Sequence, residues 1–246
     1  MSVSKQSCLW LAAAMLCGIG GALAQSAAVK SHVVIQGPRQ GSHASQPGSD
    51  AVVWLTPVNG WTDSLPRPQS AGPRPQLIQK NKQFTPHVTA VEVGSVVDFP
   101  NHDPFFHNVF SLFNGKRFDL GLYEAGSTRS VHFDRAGICY IFCNIHPQMS
   151  AIVVVVDTPY FAVADKLGDV VIPNVPPGQY QMNFWEEHCS PEDLKEAARQ
   201  VTVGADTSSL GTVHLQRSRE LVMVHPNKYG RQYDPQVFSS PIYSQP

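Results

Sequence analysis

The feature that most constrains the fold is residues 137–149, GICYIFCNIHPQM. Alternation along the first half predicts a β-strand in which Cys139, Ile141 and Cys143 share one face. The turn that follows carries His146 and then Met149. A chain with this segment must end a strand on an inward-facing thiol and at once return an imidazole and a thioether over it.

A second loop supplies the remaining donor that a metal site would need. In residues 99–110, FPNHDPFFHNVF, His107 directly precedes a predicted strand, whereas His102 stands beside Asp103 and Pro104 and is expected in solvent. Two imidazoles and a thiolate in a plane, with a weak axial thioether, suit copper in both oxidation states. Taken singly, each residue has a commoner role in a core or a turn, but together they favour a metal site. The predicted ligands of one copper ion per chain are His107, Cys143, His146 and Met149.

These two segments resemble a known family. Residues 101–109, followed by Cys-x-x-His-Pro-x-Met, resemble the blue copper proteins of the cupredoxin family, and most of all amicyanin and its plastocyanin-like relatives. The resemblance implies a Greek-key β-sandwich with a mononuclear type 1 copper site. In that family the residue after the first histidine, here Asn108, tethers the ligand loops and hydrogen-bonds near the thiolate. Asn101 and Pro147 are also expected to support the ligands.

The rest of the chain predicts an all-β fold. Short runs rich in Val, Ile, Phe and Thr alternate with Gly and Pro turns, and residues 128–143 are expected to form a strand pair around Ala136 and Gly137. Residues 150–157, SAIVVVVD, suit a strand in a sandwich interior. The one convincing helix is SPEDLKEAARQ, with Ser190 as its cap and Pro191 at its first position.

The flanking segments resemble a second type of module. HVVIQG and AVVWLTP, together with GDVVIPNVPPGQYQMNFW, are similar to a transthyretin-like carboxypeptidase regulatory-like module, into which the cupredoxin would be inserted. The predicted domains are a signal peptide at 1–24, the cupredoxin at 76–158, the discontinuous module at 31–58 and 159–217, and an irregular tail at 218–246.

The N-terminus predicts export. Lys5, an apolar run too short to span a bilayer, and Ala22-Leu23-Ala24 before Gln25 have the form of a cleaved leader. A lipoprotein anchored at Cys17 is disfavoured by the large Leu16 before it. Removing Lys5 from the 18 basic residues leaves 17 against 19 acidic ones, so nothing favours nucleic acid. We expect a periplasmic protein without stable membrane insertion.

Three cysteines remain after the leader: Cys139, Cys143 and Cys189. The spacing of the first two is that of binuclear copper centres, but their gap to His146 is one residue short for that class. Cys139 is therefore expected to be a core residue, and a bond from it to Cys189 stays open.

The leading hypothesis for function is a periplasmic carrier of single electrons that is not itself an enzyme. None of the ten histidines forms a His-x-His pair, and no hydrolase or phosphate-loop motif is present. The partner would be a redox protein such as a dehydrogenase or a cytochrome, docking near an electron port at Phe105, Phe106 and His146. The alternatives are a copper-delivery protein and a binding module with an accessory cupredoxin domain.

Overall fold

The computed structural model of the chain describes residues 26–37, 45–60, 72–112, 115–218 and 227–231. The predicted leader, most of the predicted tail and the Pro-containing segment 61–71 lie outside these residues. The predicted all-β class is confirmed. The strands are β1 (Ala27–Gln36), β2 (Ser45–Pro47), β3 (Val52–Pro57), β4 (Ile78–Lys80), β5 (Gln83–Thr85), β6 (Val88–Glu92), β7 (Ser95–Pro100), β8 (His107–Ser111), β9 (Phe118–Tyr123), β10 (Thr128–Phe133), β11 (Gly137–Cys143), β12 (Ser150–Val156), β13 (Phe161–Val163), β14 (Asp169–Val175), β15 (Gly178–Trp185), β16 (Arg199–Val203) and β17 (Ser209–Gln216), with one helix, α1 (Pro191–Ala197).

Strands from both ends of the chain build one pair of sheets, here called the flanking sandwich. One sheet has the order β14-β1-β17 with β2 beside β1, and the other has the order β13-β3-β15-β16. Val33, Leu55, Tyr160 and Met182 are fully buried members of the core between them. The parallel pairing of β1 with β17 joins residues about 180 positions apart, so this core needs both ends of the chain.

The strands between them, β4 to β12, form the central sandwich. Its larger sheet has the order β6-β12-β11-β8-β9, its smaller sheet pairs β7 with β10, and β4 and β5 form a hairpin. Phe99, Val109, Ile141 and Val153 are fully buried in the core that these elements enclose.

Strand β12 explains how the two sandwiches meet. Its Ala151, Val153 and Val155 face the central core. Its Ile152 and Val154 belong to a separate apolar cluster with β3 and β15 of the flanking sandwich. Because both faces of β12 are buried, the strand is apolar at nearly every position instead of alternating.

The predicted strand pair around Ala136 and Gly137 is wrong as a pair. Both strands form, but β10 pairs with β7, and β11 pairs with β12 and β8. The chain crosses from the smaller sheet to the larger one at this turn, which buries the inner faces of both strands in one core.

The predicted helix is confirmed, although it is shorter than the motif. Ser190 Oγ accepts a hydrogen bond from Asp193 N at 3.1 Å, and Pro191 occupies the first position. The helix ends at Ala197 because Arg199 already begins β16. In the part of the chain that the structure describes, no helix has the length and apolar character needed to cross a membrane.

Candidate metal centre

Three predicted ligands converge because β8 and β11 are antiparallel neighbours. Cys143, the last residue of β11, pairs with Val109, close to the start of β8 at His107. Cys143 Sγ lies 3.6 Å from His107 Nδ1 and 3.6 Å from His146 Nδ1. The donor atoms of all three residues lie within 4.8 Å of one another, at one end of the central sandwich.

The loop after β11 folds back on the end of its own strand. Met149 N donates a hydrogen bond to His146 O at 2.9 Å, and Cys143 N donates one to Met149 O at 3.2 Å. These bonds return Met149 to the strand end, where its side chain is buried in the central core. The loop therefore places His146 and Met149 by local hydrogen bonds, as its short spacing requires.

The spacing of the donor atoms fits a bound first-row metal ion. Bond lengths of about 2.0 Å to nitrogen and about 2.3 Å to sulfur, at tetrahedral to trigonal angles, separate the two donors by about 3.5 to 3.7 Å. Both measured Sγ–Nδ1 distances are 3.6 Å. Two imidazoles and a thiol are also the donors that favour copper or zinc over magnesium or calcium.

Burial keeps both imidazoles in their neutral, metal-binding form. It lowers the pKa of His107, although the hydrogen bond to Asp103 acts in the opposite direction. Burial is the main cause that lowers the pKa of His146 to about 4, because a second proton beside His107 and the positive charge of Lys82 would also be unfavourable. Neither ring needs to lose a proton at neutral pH before it can donate its Nδ1 lone pair.

At Cys143, in contrast, burial favours the protonated thiol, which is not the form that binds a metal. Burial raises its pKa, while hydrogen bonds from the backbone N–H groups of Asn108, Ile145 and His146 act to lower it. These amides would stabilise a thiolate, which is the form that binds a metal. A cation is the partner that would make the charged form favourable at this buried position.

Asp103 is the residue at this site whose role the sequence did not predict. Its buried carboxylate lies within hydrogen-bond distance of His107 Nε2, at 2.8 Å. It also accepts bonds from the backbone amides of Asn81 at 2.6 Å and Lys82 at 3.0 Å. The only sequence signal is an aspartate four residues before the histidine, and such an aspartate beside a proline is equally typical of a turn. His102 is exposed, as predicted.

Asn101 and Pro147, two of the residues expected to support the ligands, both lie in the ligand loops. Asn101 organises the loop that precedes His107: its Nδ2 donates to Phe105 O at 2.8 Å and its Oδ1 accepts from Asp103 N at 3.0 Å. Pro147 lies half-buried in the turn between two ligands.

The side chain of Asn108 does not make the expected tether. Its Nδ2 donates to Asp119 Oδ1 on β9 at 2.6 Å, and among the described residues its buried Oδ1 has no hydrogen-bond partner. The side chain turns to β9 because Asp119 offers a charged acceptor there, and only the backbone N–H of Asn108 serves the thiol.

The two phenylalanines of the predicted port have separate roles. The Phe105 ring packs on both imidazoles, with centroid distances of 5.2 Å to His107 and 5.6 Å to His146. Phe106 is 55% exposed. His146 is 6% exposed, against 0% for His107 and Cys143 and 1% for Met149, so it is the most exposed of the four but still buried.

Residues 227–231 of the predicted tail contact the same end of the molecule. Lys228 N donates to Asn144 Oδ1 at 3.0 Å, and Lys228 Nζ lies 2.9 Å from Asp119 Oδ2. Residues 227–231 therefore contact both the loop after Cys143 and Asp119, the acceptor of Asn108.

The other two cysteines lie away from this cluster. Cys139 Sγ lies 3.3 Å from both Ser111 Oγ and Lys116 O, either of which can accept its single S–H, and Cys139 belongs to the central core. Cys189 belongs to the core of the flanking sandwich, and both thiols are free. The bond between them that the sequence left open is absent because the two residues are buried in different cores.

No family model and no curated protein matches the chain. Solved structures with a similar part include the Cu-containing nitrite reductase (NirK) of Thermus scotoductus SA-01, with 23% identity over 34% of this chain and 22% of that chain, at a TM-score of 0.33. A novel purple cupredoxin of Nitrosopumilus maritimus shares 24% identity over 33% of this chain and 99% of its own, at a TM-score of 0.31. A proline-to-glycine mutant of amicyanin, in its reduced Cu(I) form, shares 22% identity over 35% of this chain and 85% of its own, at a TM-score of 0.33. The structural neighbours thus include cupredoxins, each alike over about a third of this chain, and the chain spans about a fifth of the nitrite reductase.

Proposed function

We propose that this chain is a mononuclear type 1 copper protein that carries single electrons between redox partners. The observation that carries the proposal is the convergence of two neutral imidazoles and one buried thiol on a single point. His107, Cys143 and His146 would hold the ion, with Met149 as the weak axial donor. Bound copper supplies a one-electron couple, and this mixed donor set suits both of its oxidation states.

The architecture assigned to this function follows the sequence resemblance. Residues 76–158 would be a cupredoxin domain, and residues 31–58 with 159–217 a transthyretin-like module around it. The chain would reach the periplasm through the leader at 1–24. Cell fractionation with N-terminal sequencing of the mature protein, expected to begin at Gln25, tests that location.

The protein's own residues keep the donors in one arrangement. The ring of Phe105 packs on both imidazoles, and hydrogen bonds close the loop from Cys143 to Met149. A site held in this way changes little when its charge changes, so electron transfer needs little rearrangement. The same burial disfavours copper delivery, because a cargo site must exchange its ion with partners.

The port we propose lies where the ligand loops reach the surface. His146 is the most exposed ligand, Phe105 touches it, and the exposed Phe106 is the next residue along the chain. An apolar surface of this kind suits brief docking of a redox protein over a small interface. The chain would therefore serve a dehydrogenase or a cytochrome as a carrier, with no catalytic reaction of its own.

Cyclic voltammetry of the copper-loaded protein tests the carrier role, with a reversible one-electron wave as the expected result. Electron self-exchange between oxidised and reduced copies, followed by NMR line broadening, tests the port. Phe106→Glu should slow self-exchange, because two copies would then bring like charges together. Leu167→Glu is the matched control, since Leu167 is also a large exposed apolar residue but lies in the flanking sandwich.

An irreversible wave, or the absence of one, would remove the carrier proposal. Equal self-exchange rates in Phe106→Glu and in the unmodified protein, with the optical spectrum unchanged, would place the port elsewhere.

A further inference from the structure

The buried carboxylate of Asp103 is held from two directions. On one side, the backbone amides of Asn81 and Lys82 donate to it. Both residues have positive φ, 55° and 54°, at the turn between β4 and β5, and successive amides in such a turn form a concave anion site. On the other side is His107 Nε2, so the hairpin turn fixes the carboxylate against the imidazole.

The acceptor character of a carboxylate determines the proton position on His107. An ionised carboxylate can only accept hydrogen bonds, so the proton of the neutral ring must sit on Nε2. Both oxygens of the Asp103 carboxylate act as acceptors, Oδ1 of the Asn81 N–H and Oδ2 of the Lys82 N–H, and Oδ2 also faces His107 Nε2. The lone pair of His107 is then on Nδ1, the atom 3.6 Å from Cys143 Sγ.

The carboxylate also adds a negative charge close to the donor set. It is 4% exposed, so solvent screens it poorly. A negative charge behind an imidazole makes the ring a stronger donor and favours the more highly charged state of a bound ion.

We propose that Asp103 is a positioning residue that fixes His107 as the Nε2–H tautomer and lowers the reduction potential of the site. The tautomer statement concerns the metal-free protein. The statement about the potential rests on the proposed copper function.

The tautomer is measured by nitrogen-15 NMR of the histidine rings in the metal-free protein. In the unmodified protein His107 should show a protonated Nε2 and an unprotonated Nδ1. Asp103→Asn has nearly the same size but loses the charge and one acceptor oxygen, so the single tautomer should give way to an exchanging mixture. The control is Asp98→Asn, which makes the same change at a partly buried carboxylate of the central sandwich that bonds Ser130 Oγ at 2.7 Å and no histidine.

The potential is measured by redox titration of the copper-loaded proteins. Asp103→Asn should raise the affinity for Cu(I) relative to Cu(II) at least tenfold, which for one electron is a rise of about 59 mV. Asp98→Asn should leave the potential near that of the unmodified protein. Thermal unfolding of both variants shows that the comparison is between folded proteins.

A proton on Nδ1 of His107 in the unmodified metal-free protein would overturn the inference, as would equal shifts of potential in the Asp103 and Asp98 variants. Failure to bind copper would remove the proposed function and the statement about the potential, while the tautomer result would still decide the role of Asp103 in the metal-free protein.

Discussion

The two sandwiches have similar apolar cores but differ in where their buried polar side chains lie. Among the described residues of the flanking sandwich, the few buried polar side chains are scattered along its length. In the central sandwich, apart from Thr89 and Ser111, they gather at one end, where the ligand loops meet. The buried polar residues at that end are Gln79, Asn101, Asp103, His107, Asn108 and His146.

This difference separates residues that stabilise the fold from residues that serve a site. Burying a polar group costs free energy unless hydrogen bonds replace its water, and here the replacement is incomplete. Among the described residues, Gln79 Oε1 and Asn108 Oδ1 are buried without a partner. A protein selected for stability alone would place apolar side chains at this end, so the polar end indicates function.

The three buried cysteines should differ most in their effect on copper binding. Cys143→Ser should abolish the charge-transfer absorption of the copper-loaded protein, because a hydroxyl stays protonated near neutral pH and cannot replace the thiolate. Cys139→Ala and Cys189→Ala should keep the absorption and cost only about 1 kcal/mol each in the free energy of unfolding, since each removes one buried atom.

Optical spectra of the three copper-loaded variants and urea denaturation of the metal-free forms provide the measurements. Full absorption in Cys143→Ser would move the thiolate ligand to Cys139. Two copper ions in the unmodified protein and one in Cys139→Ala would instead support the binuclear arrangement.

A smaller effect tests the axial position. Met149→Leu keeps the size and burial of the side chain but removes the thioether, which destabilises Cu(II) more than Cu(I). We expect a coloured site whose potential is higher by about 59 mV or more, equivalent to at least a tenfold change in relative affinity. A redox titration that gives the same potential for both proteins would show that Met149 is a core residue only.

The smallest effect concerns the contact between the sandwiches. His87 Nε2 of the central sandwich lies 2.8 Å from Glu187 Oε2 of the flanking one. This hydrogen bond, the main cause in both cases, raises the pKa of His87 above 6.5 and lowers the pKa of Glu187 below 4.5. The stabilisation is therefore lost as pH rises through the pKa of His87, and lost again as pH falls through that of Glu187.

Glu187→Gln tests this ion pair. It should lower the free energy of unfolding by about 1 kcal/mol or less at about pH 6, because the pair is partly exposed, and by still less at about pH 9. Urea denaturation of both proteins at the two pH values measures the difference. The same difference at both would mean that charge on His87 does not contribute.

Local patterns account for what the sequence could predict. The alternation along residues 137–143 predicts the strand that ends at Cys143, and hydrogen bonds within the next few residues position His146 and Met149. The capping residues of α1 likewise act within one turn of the helix. The role of Asp103 could not be predicted, because its carboxylate is held in place by the backbone amides of a hairpin turn some 20 residues away in the sequence. The prediction that β10 pairs with β11 was wrong for a similar reason. Whether two strands joined by a turn stay in one sheet depends on which other strands are available to pair with them.

Titration of the metal-free protein with Cu(II), followed by visible absorption, tests the copper site directly. An intense thiolate-to-copper band should grow linearly and saturate at one copper per chain, because the described residues bring together one cluster of two imidazoles and a thiol. Copper binding without an intense visible band, or saturation at two copper ions per chain, would contradict a mononuclear type 1 copper site.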